Sequence, residues 1–250
     1  MITDPVFYAV AVPAVTLYGL SKGGFSGVAI LSTPLLALAV PPIQAAAIML
    51  PVLIVQDVVT VWSYRRTWDA RTLLHLAPGA LLGIAAGFLF ASWVSDSAVR
   101  IIVGLIAVSF CLDRWIRSGA RIDARPHDWR SATVLGAISG YTSFVIHVGG
   151  PPFNMYALAR GLSRDAFVGT AGVFFAAVNL VKVGPFVALG QLTVENLGTA
   201  AVLFPLAVAA NLAGIWMVRR VPADLFYRLI YGLTFAVGCF LLVSGIRAYL

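Results

Sequence analysis

The feature that most limits this chain is that apolar residues run almost from one end to the other, with no polar stretch long enough to fold in water. Of 250 residues 60% are hydrophobic and 11% charged, against about 25% charged in soluble domains. A soluble enzyme is excluded, and so is a soluble domain held by one anchor. The expected fold class is an all-α polytopic membrane protein, because a helix satisfies its backbone polar groups internally in lipid. No basic stretch precedes the first apolar run, so a cleaved signal peptide is not expected.

A helix needs roughly 20 apolar residues to span a bilayer. Cutting the chain at charges, prolines and glycine clusters gives segments at 5–21, 25–40, 43–64, 71–93 and 98–116, then 130–147, 151–160, 165–189, 196–218 and 223–246. The first pair is too long for one crossing, at about 54 Å, and short for two. It breaks at Ser21-Lys22-Gly23-Gly24, and the sixth and seventh segments break at Gly149-Gly150-Pro151-Pro152. Paired glycines and prolines are poor helix interiors, so each pair is expected to be a broken or re-entrant helical hairpin. Irregular backbone at membrane depth survives only where protein buries it or a cavity wets it.

Fifteen of the seventeen basic residues are arginines, and thirteen of these fall in four connections, at 64–71, 114–130, 160–164 and 219–228. The positive-inside rule makes those connections cytoplasmic and both termini external. Five segments per half then insert in opposite senses. A half-length echo agrees with this. Arg100 to Leu105 (RIIVGL) matches Arg228 to Leu233 (RLIYGL), Cys111 pairs with Cys239, Pro78 and Gly87 pair with Pro205 and Gly214, and Asp57 falls opposite Asn179 at an offset of about 122. The expected organisation is a first repeat at 1–118, a cytoplasmic linker at 119–130 and a second repeat at 131–250. Inverted repeats are the architecture in which secondary transporters bind substrate near the midplane.

The candidate substrate residues cluster at the two breaks: Lys22, Gly23, Gly24 and Ser26 in the first, and Thr142, Ser143, His147, Gly149, Gly150 and Asn154 in the second. Glycines let backbone and ligand approach closely, and half-helix N-termini near Phe25 and Gly150 would offer N–H groups to an anion. Lys22 either adds its charge there or snorkels to the cytoplasmic surface. His147 either changes charge near neutral pH or acts as a neutral donor. Asp57, Asn179 and Lys182 are the coupling or gating candidates, since ionisable groups inside a membrane are functional hypotheses by default; a structural ion pair is the alternative. Asn211 either lines the path or bonds a neighbouring helix. The two cysteines, Cys111 and Cys239, lack metal-ligand spacing, and no cofactor or metal is expected.

The run Gly19 to Gly27 (GLSKGGFSG) with Pro34-Leu35-Leu36, its echo Ser139 to Pro152 (SGYTSFVIHVGGPP) and the two-fold hydropathy plan resemble the TauE/SafE family of sulfite exporters across essentially the whole chain. The resemblance implies a multi-pass carrier of sulfite or small organosulfonates in a bacterial or archaeal inner membrane. It also implies that Gly23, Gly24, Gly149 and Gly150 are substrate-site backbone. Expected partners are a small anion, a coupling proton or sodium ion, and membrane lipid; the net +7 reads as topology rather than as a nucleic-acid surface. An anion channel is the near alternative. An intramembrane enzyme using Ser143 or Ser26 with His147 is disfavoured, because no nucleophile elbow or acidic orienter completes a triad.

Overall fold

The structure, a computed structural model, describes residues 2–25, 29, 32–36, 39–40, 42–90, 96–116 and 128–248. Among them the secondary structure is helical: α1 (Pro5–Gly23), α2 (Ser32–Leu36), α3 (Pro42–Ser63), α4 (Ala70–Phe90), α5 (Asp96–Ile116), α6 (Trp129–Ile146), α7 (Gly150–Leu158), α8 (Arg164–Ala188), α9 (Val194–Arg220) and α10 (Ala223–Arg247). Apart from α2, the boundaries fall within three residues of those cut from the sequence. The segment expected at 25–40 is represented by the five residues of α2, and Ser26 and most of the proposed linker lie outside the described residues. Among the described residues six helices, α1, α3, α4, α8, α9 and α10, are long and apolar enough to cross a membrane.

Local chemistry accounts for the helix starts. Asp4, Ser163 and Thr193 accept backbone N–H groups at the beginnings of α1, α8 and α9, which satisfies donors a helix start otherwise leaves open. Asp128 does the same for α6, accepting from Arg130 and Ser131. Those hydrogen bonds hold its exposed carboxyl below the usual carboxylate range.

Helix α1 packs on α9, α4 on α6, α5 on α10, and α3 on α8 and α9, while α7 turns back against α6. Three of these contacts, α4–α6, α1–α9 and α5–α10, bring backbones together. A Cβ on Gly83 would lie 2.0 Å from Ala137 O, and one on Gly140 would lie 2.2 Å from Ala80 O. On α1, a Cβ at Gly23 would lie 2.5 Å from Gly214 C. In lipid, where apolar side chains gain nothing by leaving the solvent, such close approach supplies much of the association energy.

Three of the arginine-rich connections, at 64–71, 160–164 and 219–228, meet at one end of the molecule. Arg219 Nη2 donates to Ser63 O at 3.2 Å, Arg164 Nη1 donates to Val221 O at 2.7 Å, and the Tyr227 hydroxyl donates to Leu162 O. At the opposite end Ile2 N donates to Thr199 Oγ1 and Gln44 Nε2 to Asn196 Oδ1. Near the basic end Arg65 and Arg220 lie over the exposed rings of Trp62 and Trp216, 4.4 and 3.9 Å from their centres, as interfacial anchors do.

Candidate anion-binding site

Both chain breaks open onto one cavity of about 90 Å³. Since roughly 10–15 Å³ suffices for one water, the space suits a few waters or a small oxyanion. Its wall is made by Ser21, Lys22 and Gly24 at the end of α1, by Ser143, His147, Gly149 and Gly150 at the α6–α7 break, and by Phe175 and Asn179 of α8.

The first break forms because Gly24 adopts φ 137°, a conformation open to glycine, and its N–H closes back on Ser21 O at 3.1 Å. Gly23 packs against Gly214, six residues before Arg220, so α1 stops about 9 Å short of the basic end. Lys22 therefore does not snorkel. Its ammonium donates to Asp57 Oδ1, with the side chain 12% exposed and that of Asp57 3%. Asn179 Nδ2 donates to the other carboxylate oxygen at 2.6 Å. Lys22 also lies 5.3 Å from the centre of the Phe175 ring. It stands at the cavity wall with the carboxylate behind it.

Nearby polar groups hold this pair in place. Thr60 Oγ1 donates to Lys22 O at 3.3 Å, and Asn211 Nδ2 donates to Thr60 Oγ1 at 2.9 Å and to Gln56 O at 2.5 Å. Gln56 Nε2 in turn donates to Val15 O at 3.2 Å. Asn211 thus joins α9 to α3 instead of facing the cavity.

The second break is stranger. His147 sits at φ 54°, the one non-glycine residue with positive φ among the described residues, which costs about 1–2 kcal/mol relative to a glycine. Val148 N donates to Thr142 O at 3.1 Å and closes the helix end. Ser139 Oγ donates to Gly149 O at 2.7 Å, and a Cβ on Gly149 would fall 2.8 Å from Ser139 O. Gly149 is therefore required by packing. Gly150, by contrast, has nothing within 4 Å of a built Cβ.

From α8, Lys182 reaches into this break and is fully buried. Its Nζ donates to Ser143 O at 3.0 Å and to Ser143 Oγ at 3.3 Å, and lies 3.1 Å from His147 Nδ1. His147 Nε2 is buried and has no hydrogen-bond partner among the described residues.

Not every candidate belongs to the cavity. Asn154 donates to Thr234 on α10 at 3.2 Å, and Thr142 bonds the carbonyls of Ile138 and Ser139; both are buried away from the cavity wall. The N–H cradle expected at the start of α7 is also thinner than the spacing suggested, because Pro151 and Pro152 carry no N–H. Thr60 and Phe175 were not candidates. Thr60 had one available signal: it stands 122 residues before Lys182, the offset of Asp57 to Asn179.

Gly150→Leu gives a direct test of the cavity. A Cβ there meets nothing within 4 Å, so thermal stability should stay within about 1 kcal/mol of the parent. Anion binding should fall at least about tenfold as the cavity fills, measured by titration calorimetry beside a melting curve.

No match was found among curated proteins or among solved structures. The family described as "Sulfite exporter TauE/SafE" matches residues 11–241, a span that includes both breaks, Asp57 and Lys182. This chain therefore belongs to the TauE/SafE sulfite exporter family, and with six helices able to cross a membrane it is a multi-pass member of that transporter family.

Proposed function

We propose that the protein is a secondary active carrier that exports a small oxyanion, sulfite or a short organosulfonate, across a bacterial or archaeal inner membrane. The observation that carries this reading is the charge count around the cavity. Two lysines and one carboxylate face or adjoin it, Asp57 and Lys182 buried and Lys22 part-buried. With all three ionised, the cluster has one positive charge to spare, and burying such a charge is costly until an anion joins it. Lys22, Ser143, His147, Gly150 and Asn179 form the substrate site, and Asp57 and Lys182 tune it from behind.

An inverted repeat is the architecture we assign to it. The helix pairing supports this, because α1 on α9 has its counterpart in α6 on α4, while α5–α10 and α3–α8 join equivalent helices of the two halves. Asp57 and Asn179, equivalent by offset, are bonded to each other, as residues near a two-fold axis can be. Rocking the halves about the cavity would give alternating access, with the arginine-rich end in the cytoplasm and the termini outside.

The test is radiolabelled sulfite flux in proteoliposomes. A carrier accumulates label by counterflow against unlabelled sulfite inside; a channel passes sulfite without that overshoot. Absence of sulfite or sulfonate flux under any imposed ion gradient rejects the reading. An enzyme reading is disfavoured by position, since Lys182 occupies His147 Nδ1, where the orienting carboxylate of a triad would stand.

A further inference from the structure

Lys182 is buried beside the cavity without lining it, and its near contacts are Ser143 O, Ser143 Oγ and His147 Nδ1. An ammonium offers three hydrogens and accepts none. Three acceptors within 3.3 Å can take all three. For His147 Nδ1 to be one of them it must be the unprotonated ring nitrogen, which leaves the hydrogen on Nε2. Nε2 is a buried atom with no hydrogen-bond partner among the described residues, and His147 is one of the residues of the cavity wall.

We infer that Lys182 is a positioning residue that fixes His147 as its Nε2–H tautomer and so aims a neutral hydrogen-bond donor at the anion. This rests on the carrier reading for the identity of the ligand, but the tautomer itself is a property of the empty protein. A second observation sets the role of Lys182 apart from mere satisfaction of a carbonyl. In the other half, Thr60 Oγ1 donates to Lys22 O at 3.3 Å. Thr60 and Lys182 are 122 residues apart, and Lys22 and Ser143 are 121 apart, so a short neutral hydroxyl does at one break what the lysine does at the other. The longer, charged side chain is needed only for what the threonine has no counterpart to, the imidazole. The backbone points the same way: a position at φ 54° favours glycine, yet it carries the imidazole.

The ligand class follows from the donor. Nε2–H selects an oxygen that accepts, and a site walled by His147 and Lys22 favours an oxyanion with several equivalent acceptor oxygens over a ligand that must donate.

The experiment is nitrogen NMR of protein labelled at its histidine rings, with His147→Gln used to assign the resonances. The expected ligand-free spectrum has Nδ1 unprotonated and Nε2 protonated. In Lys182→Met the Nδ1 resonance should move as its donor is lost, and the affinity for sulfite should fall about tenfold or more, whereas Lys182→Gln, which keeps an N–H, should recover part of both. A protonated Nδ1 in the parent protein overturns the inference, and this result needs no variant to fold. So does an Nδ1 resonance unmoved by Lys182→Met, or full sulfite affinity in that variant. If the parent protein binds no sulfite, the carrier reading fails, while the tautomer is still decided by the spectrum.

Discussion

Lys22→Gln is expected to lower sulfite flux at least 100-fold and to lower stability at the same time. The two losses have different causes. Flux falls because Lys22 is the cation on the cavity wall, whereas stability falls because Asp57 would remain buried with Asn179 as its bonded partner. Removing one member of a buried ion pair typically costs about 3–5 kcal/mol, much of it from the charge left behind. The double variant Lys22→Gln with Asp57→Asn separates them: it should recover most of the melting temperature and none of the transport. Recovery of transport in the double variant would mean that Lys22 serves only to neutralise Asp57, and the anion would have to bind elsewhere.

The second large effect concerns packing. Gly83→Val should leave little folded protein, because even the first atom of the new side chain would lie 2.0 Å from Ala137 O and 2.8 Å from Tyr141 N. Both are backbone atoms of α6 and cannot rotate away. Overpacking a core costs about 1–3 kcal/mol when side chains can yield, and here α4 and α6 must separate, so the loss should exceed about 3 kcal/mol. Gly184→Ala on α8, with nothing within 4 Å of a built Cβ, is the matched control and should change the yield of monodisperse protein little. Equal behaviour of the two variants would show that the α4–α6 approach is wider than described.

These predictions draw on different levels of the molecule, and the two levels were not equally readable from the chain. Helix limits were readable because hydropathy, glycine pairs, prolines and capping residues act on near neighbours in sequence. That is why the breaks at Gly23-Gly24 and Gly149-Gly150 could be placed from residue types alone. The ionisable candidates, Lys22, Asp57, His147 and Lys182, also stood out, since such groups are conspicuous in so apolar a chain. Asp57 and Asn179 could even be matched by offset.

What each of them touches was not readable. Lys22 had two open fates, and the choice between them depends on how far α1 descends along α9, which the Gly23–Gly214 contact sets. Asn154 has the same composition of neighbours as a site residue, but the rotation of α7 directs it to Thr234 on α10. Lys182 was readable as a coupling or gating candidate, but its partners Ser143 and His147 lie 39 and 35 residues away along the chain. By itself the sequence determined that this protein lives in a membrane, where its helices break and which charges it buries, because those properties are local and additive. Only the tertiary structure decided which buried charge meets which partner, because helix rotation and the depth of backbone contact arise from packing between segments far apart in the chain.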